Sequence, residues 1–236
     1  MEHEASPWLL FGMSVVVIVV LAVVSMLGTR RLWKVPERRS QGLLELIVSS
    51  LNGFVVGIIG PGGEKYTPFI GTIFIYILSM NLLGLVPGFK APTSGLSITV
   101  ALALIVFVMY NYFGIRETGF KSWFMHLLGA PQSAVEWVLV PLMFPIHVIG
   151  ELARPLSLSI RLFGNIFGEE TILVILAGMS LALIKYHGIP VLTIPVQFPL
   201  MVFAVFTAFV QALVFSMLAA IYIAIAVSGH EEHAAH

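Results

Sequence analysis

The chain has 236 residues, is 58% hydrophobic and only 10% charged, and its mean hydropathy is +1.00. That is more apolar surface than a soluble domain of this length can bury, so the composition excludes a soluble fold and marks a polytopic membrane protein. Twelve basic and twelve acidic residues cancel to a formal net charge of zero, and no nucleic-acid partner is expected. With no cysteine at all, disulfides, thiolate metal sites and thiol redox chemistry are excluded as well.

The apolar stretches are near-continuous rather than alternating, which points to an all-α protein and not a barrel. The opening Met1-Glu2-His3-Glu4 is acidic where a signal peptide would be basic, so the first apolar segment is expected to be retained. That first span runs Trp8–Leu27, within a unit 1–29, and Trp8 is placed as an interfacial anchor. A basic cluster of Arg30, Arg31, Lys34, Arg38 and Arg39 follows. Within the unit 40–60, Gly42–Ile59 is as long as a span but is sided. Leu43, Leu44, Ile47, Leu51, Phe54, Val55 and Ile58 fill one arc of a helix wheel, and Glu45, Ser49 and Asn52 lie opposite. The pattern predicts an amphipathic helix lying at the membrane surface.

Gly60-Pro61-Gly62-Gly63 is a turn signal. A helical hairpin is expected over 66–116, with spans Pro68–Val86 and Leu96–Ile115 joined by the loop Phe89–Gly95, followed by a short interfacial piece at Trp123–Gly129. The remaining unit, 132–228, is unusual. Ser133–Leu183 is helix-compatible yet interrupted by polar and charged residues, whereas Pro190–Ser228 has no charge. A continuous helix over either part would reach about 58 Å or more, roughly twice the hydrocarbon thickness. The second part contains no glycine with which to turn back. Either the two parts break at Pro141, Pro145 and Pro155 and at Pro195 and Pro199, or they are strongly tilted; two long, strongly tilted helices with a hairpin near Lys185–Pro190 are expected, in a single membrane domain 1–236. Lys65, Arg116 and Lys121 join the first basic cluster on the cytoplasmic side, against Lys90 and Lys185 outside. The positive-inside rule then gives five crossings, with the N-terminus outside and the tail Gly229–His236 in the cytoplasm.

One stripe carries the chemistry. With Arg161 at zero and about 100° per residue, Arg154 falls near 20°, His147 and Asn165 near 40°, and Glu151 and Glu169 near 80°. Glu170 points roughly 180° away. The ring of Pro155 also frees the carbonyl of residue 151 on this face. Glu151 and Arg154, three residues apart, either neutralise each other or line a polar path. Arg161 has no acid three or four residues away on either side. A guanidinium stays protonated wherever it sits, and at a bilayer centre it costs about 3 kcal/mol on insertion scales. Its counter-charge must come from another helix or another protein, which is the mark of an ion pathway.

Leu156-Ser157-Leu158-Ser159-Ile160-Arg161-Leu162-Phe163-Gly164-Asn165, followed by Glu170, resembles the signature of subunit a of F-type ATP synthases. Asn81–Pro87, Pro92-Thr93-Ser94 and Gln211 in the last helix agree with it, so the likeness covers essentially the whole chain. The resemblance implies a stator subunit of a bacterial inner membrane, not an enzyme by itself, with neither cofactor nor metal. Its partners would be a ring of c subunits, the peripheral-stalk b subunits, the rest of the synthase and lipid. The two long helices would lie against the ring. Arg161 would stand between two aqueous half-channels, with Asn165, Glu170 and Gln211 in ion translocation and His147, Glu151, Glu169 and Asn81 as channel linings.

The pattern also departs from the family. His147 stands where many members carry Glu, Ala204 where His or Glu is frequent, and Gly95 and Ser97 where Asp and Asn are common. Two other readings compete. A secondary ion-coupled transporter would show internal repeats, and none is visible here. A membrane hydrolase could use His230-Glu231-Glu232-His233, but that cluster reads as a solvated tail.

Overall fold

A computed structural model describes residues 7–30, 39–86, 89–129, 134–187 and 193–228. Seven α-helices form the chain among these residues: α1 Pro7–Thr29, α2 Arg39–Ile59, α3 Thr67–Leu83, α4 Leu96–Thr118, α5 Phe120–Leu127, α6 Ala134–His187 and α7 Thr193–Ser228. Short 3-10 turns at Gly63–Tyr66 and Pro92–Ser94 precede α3 and α4. The acidic start, most of the first basic cluster, the part of the expected hairpin after His187 and the tail with its His-Glu cluster lie outside the described residues.

The helix limits follow local chemistry. Pro68 sits in the first turn of α3, where its missing N–H has no intrahelical partner to lose. α3 stops at Leu83, three residues short of the expected limit, because residues 84–86 turn toward the next loop. α4 instead runs past Ile115 to Thr118 and ends where Gly119 takes a φ of +81°, a conformation that favours glycine. The interfacial piece likewise begins earlier than expected, at Phe120.

α6 spans 54 residues without a break, although Pro141, Pro145 and Pro155 lie inside it. At 1.5 Å per residue it is about 80 Å long, and the 36 residues of α7 give about 54 Å. Both exceed a hydrocarbon layer of about 30 Å, so neither stands upright along its whole length within one.

The core is shared by α3, α4, α6 and α7. Ile70, Ile77 and Met80 of α3, Val106 and Tyr110 of α4, Leu158 and Leu162 of α6, and Phe215 and Ile223 of α7 are buried together. Small residues draw α7 close: Ala204, Ala208 and Ala212, one turn apart, and then Ala219 and Ala220 are all buried. A Cβ on Gly114 of α4 would stand 3.2 Å from the Ala226 Cβ and 3.3 Å from its carbonyl oxygen, so only glycine allows this crossing without displacement. The outer faces are apolar too, with Phe11, Val16, Ile146, Ile149, Leu156 and Ile160 exposed, as suits lipid or a membrane partner.

α2 corrects part of the expected arc. Val55 is buried, and Phe54 and Ile58 pack on the core, but Leu43 and Ile47 are exposed along with Leu46 and Val48. The reason is that α2 engages the core through its second half, so siding of the sequence describes only that half. Among the described residues six helices are long and apolar enough to cross a membrane, α2 among them.

Candidate functional site along α6 and its seam with α7

The inward face of α6 is set by Leu158, Ser159, Leu162 and Ile166, all buried. Arg161 lies off that face and is exposed. Among the described residues it has no ion-pair partner, as its sequence neighbours imply. One turn further on, the Asn165 amide Nδ2 donates to Oε1 of Gln211 at 2.5 Å. Gln211 is only 4% exposed. The expected facing of these two amides across α6 and α7 is therefore present, one helical turn from Arg161.

Toward the end of the same stripe, Thr207 Oγ1 of α7 donates to Oε2 of Glu169 at 2.8 Å. The same hydroxyl oxygen lies 3.0 Å from the Ala204 carbonyl oxygen. A cavity of about 480 Å³ opens here between the helices, lined by Asn165, Glu169, Phe203, Ala204, Thr207 and Gln211 among others. Ala204, where an ionisable side chain is frequent in the resembling family, leaves this space open.

Glu170 points elsewhere, as its position on the wheel requires. Its Oε1 accepts the backbone N–H of Ala91 at 3.1 Å, tying α6 to the loop before α4. That loop comes close because Gly84 has no side chain: a Cβ there would come within 2.6 Å of the Ala91 Cβ. Asn81 braces the same joint. Its Oδ1 accepts from the Thr93 hydroxyl at 2.8 Å, and its Nδ2 reaches the Ala208 carbonyl at 3.5 Å. Asn81 is buried and engaged at both ends of its amide, so its present role is to join α3, the 92–94 turn and α7.

On the other side of Arg161, Glu151 and Arg154 form an ion pair at 2.7 Å. The neutralising alternative for this pair is the one adopted. The Tyr110 hydroxyl donates to the second oxygen of Glu151 at 2.5 Å. The Arg154 guanidinium also stands 5.8 Å from the ring centroid of Tyr110 and 5.5 Å from that of Tyr222, favourable positions for a cation over an aromatic face. One residue from α4 and one from α7 thus hold the pair. Another turn back, His147 Nδ1 lies 2.9 Å from the Met143 carbonyl oxygen, which can only accept. Its ring lies beside Gly129, just past the end of α5.

Sequence reasoning missed Tyr110, Thr207, Tyr222 and the Ala91 amide. A signal existed for two of them. On α7, Thr207, Gln211 and Tyr222 are polar positions spaced four and eleven residues apart, which puts them on one side of the helix. Nothing local could have matched Tyr110 with Glu151, 41 residues away.

The ATP synthase A chain family matches residues 10–224. The chain belongs to that family. Curated relatives agree over nearly its full length. The ATP synthase subunit a of Protochlamydia amoebophila is 41% identical over 219 residues, covering 93% of this chain and 79% of that protein. The ATP synthase subunit a of Aliarcobacter butzleri is 40% identical over 237 residues, covering 96% of this chain and 92% of that protein. The one from Solidesulfovibrio magneticus is 42% identical over 205 residues, with coverages of 87% and 78%. The transporter alternative finds no support in these matches.

Proposed function

We propose that the chain presses α6 and α7 against a ring of c subunits and supplies the fixed cation and the two half-channels that turn proton flow into rotation. As subunit a of the membrane sector of an F-type ATP synthase, the chain is a non-catalytic part of a complex that couples proton transport to ATP synthesis. The observation that carries the finer reading is the placement of Arg161. It is exposed on α6 beside the Asn165–Gln211 bridge, with carboxyl groups about 15 Å before it at Glu151 and about 12 Å after it at Glu169 along the helix axis.

The physics of the cycle follows from charge in a low-dielectric layer. A ring carboxyl facing lipid stays protonated, because an unpaired anion there is too costly. Opposite Arg161 the cation favours its ionised form, and the proton leaves through one half-channel. The next ring carboxylate is reloaded from the other. Arg161 keeps the two apart by repelling a proton that would pass directly between them. Asn165 and Gln211 hold the carboxylate and guanidinium without neutralising either. Glu169, open to the cavity, and Glu170, at the loop before α4, lie toward one half-channel, and His147 with the paired Glu151 and Arg154 lies toward the other. Each proton crossing about 100 mV yields about 2.3 kcal/mol, so several must be pooled by rotation to make one ATP.

The expected partners include the peripheral-stalk b subunits. The expected setting is a bacterial inner membrane with five crossings, the N-terminus outside and the C-terminus in the cytoplasm. Contact with the ring has a direct test, because the chain has no cysteine of its own. Ser157→Cys, on the exposed side of α6 close to Arg161, should form a disulfide with a cysteine placed at mid-membrane depth in the ring's outer helix. Failure of every such pair to cross-link in the assembled complex would reject the contact.

Orientation is tested at Ser49, which is exposed on α2. In Ser49→Cys a membrane-impermeant thiol reagent should label from the cytoplasmic side. Labelling only from the outside would overturn both the surface placement of α2 and the five-crossing count.

A further inference from the structure

We propose that Glu169 is the titrating carboxyl of the cavity between α6 and α7, and that Thr207 positions it for both protonation states, the pair taking the place of the ionisable side chain that Ala204 lacks. This rests on the function proposed above and assigns a specific step within it.

One hydroxyl on α7 faces two acceptors. Thr207 Oγ1 has a single hydrogen, yet it lies 2.8 Å from Glu169 Oε2 and 3.0 Å from the Ala204 carbonyl oxygen. With Glu169 ionised, the hydroxyl donates to the carboxylate. With Glu169 protonated, its own O–H donates to Thr207 Oγ1, whose hydrogen turns to the Ala204 carbonyl. The Glu169–Thr207 hydrogen bond is kept in both states without any backbone movement. The exchange is balanced: a proton arrives from water in the cavity, resides on the Glu169 carboxyl, and leaves to water again. The cavity of about 480 Å³ has room for on the order of ten waters to carry it.

The surroundings suit this role. The whole of α7 has no charged or histidine side chain, so nothing on that helix fixes Glu169 in one charge state. On its own helix Glu170 is adjacent, and Arg161 lies two turns earlier. The loop before α4 brings Lys90, and the acid and base of α4, Arg116 and Glu117, lie at its far end. Asn165 and Gln211 line the same cavity, so a proton on Glu169 is one turn from the bridge beside Arg161. Glu170 is directed instead to the Ala91 N–H. The two adjacent carboxyls therefore open onto different places, and the cavity one is Glu169.

The test uses the intact complex in inverted vesicles and measures ATP-driven proton pumping between about pH 6 and 9, with ATP hydrolysis in the same membranes as the assembly control. Thr207→Val keeps the shape and removes the hydroxyl. It should slow pumping about tenfold, the worth of one hydrogen bond to a charged group. Thr207→Ser should restore it. Glu169→Gln should remove one limb of the pH profile and make Thr207→Val silent, so that the double variant matches Glu169→Gln alone. An equal loss from Thr207→Val in the Glu169→Gln background would show that Thr207 merely packs. A wild-type pH profile in Glu169→Gln would overturn the assignment outright. Arg161→Ala is run alongside. Coupled pumping in that variant would sink the functional reading, whereas its loss together with an unaltered Glu169→Gln sinks only the pair.

Discussion

Arg161→Ala should lower both ATP-driven pumping and proton-driven synthesis by on the order of a hundredfold or more, the scale seen when a fixed electrostatic stabiliser is removed from a dry site. The complex should still assemble. Arg161 is exposed, and the neighbouring contacts of α6 are made by Leu158, Leu162 and Ile166, which the substitution leaves in place. Arg161→Lys should fail as well. An ammonium is a compact charge that loses its proton on desolvation, and it lacks the planar fork of donors that meets a carboxylate. The measurement is quenching of a pH-sensitive dye in inverted vesicles, set against the amount of assembled complex. Wild-type pumping by Arg161→Ala would remove the arginine from the mechanism.

Glu170→Gln should also slow coupled flux strongly, and the geometry allows a sharper experiment than the single change. The Glu170 carboxyl has two separable properties: it can titrate, and it accepts the Ala91 N–H. Glutamine keeps an acceptor oxygen of nearly the same reach but cannot carry a proton. Alanine loses both. If Glu170 relays protons, Glu170→Gln and Glu170→Ala should be comparably impaired in dye quenching at equal assembly. If glutamine pumps normally and only alanine fails, Glu170 is a latch for the loop before α4, and protons pass elsewhere. Gly84 bears on the same point, since the loop reaches Glu170 only where α3 ends without a side chain.

The departures from the family pattern have a structural counterpart at Ala204. A small buried residue on α7 opens the cavity, and a hydroxyl one turn along the helix meets the carboxyl next to Glu170. His147 shows a different outcome. Its ring is held by the Met143 carbonyl near the start of α6, about 21 Å along the helix from Arg161, and nothing else in the described residues draws it toward the arginine.

Much of this protein was determined by sequence alone, because the signals are local or periodic. The hydropathy of the segments sets an all-helical membrane fold without reference to neighbours. The helix repeat puts Arg161, Asn165 and Glu169 along one stripe and turns Glu170 away from it, and both were found. The absence of an acid near Arg161 in its own helix was likewise readable directly. Only the tertiary structure decided what each stripe residue meets. Proline at three positions did not break α6, because each removes one hydrogen bond from a helix held by long packing faces. The arc of α2 was legible in its period, but which half of it would find a neighbour depended on where α3 and α7 lie. Tyr110 on Glu151, Thr207 on Glu169 and the Ala91 N–H on Glu170 join residues 38 to 79 positions apart. A one-dimensional pattern records which face a side chain occupies, but a hydrogen bond between helices also needs their separation and axial offset, and these are set by the summed packing of alanines, glycines and branched side chains across the whole bundle.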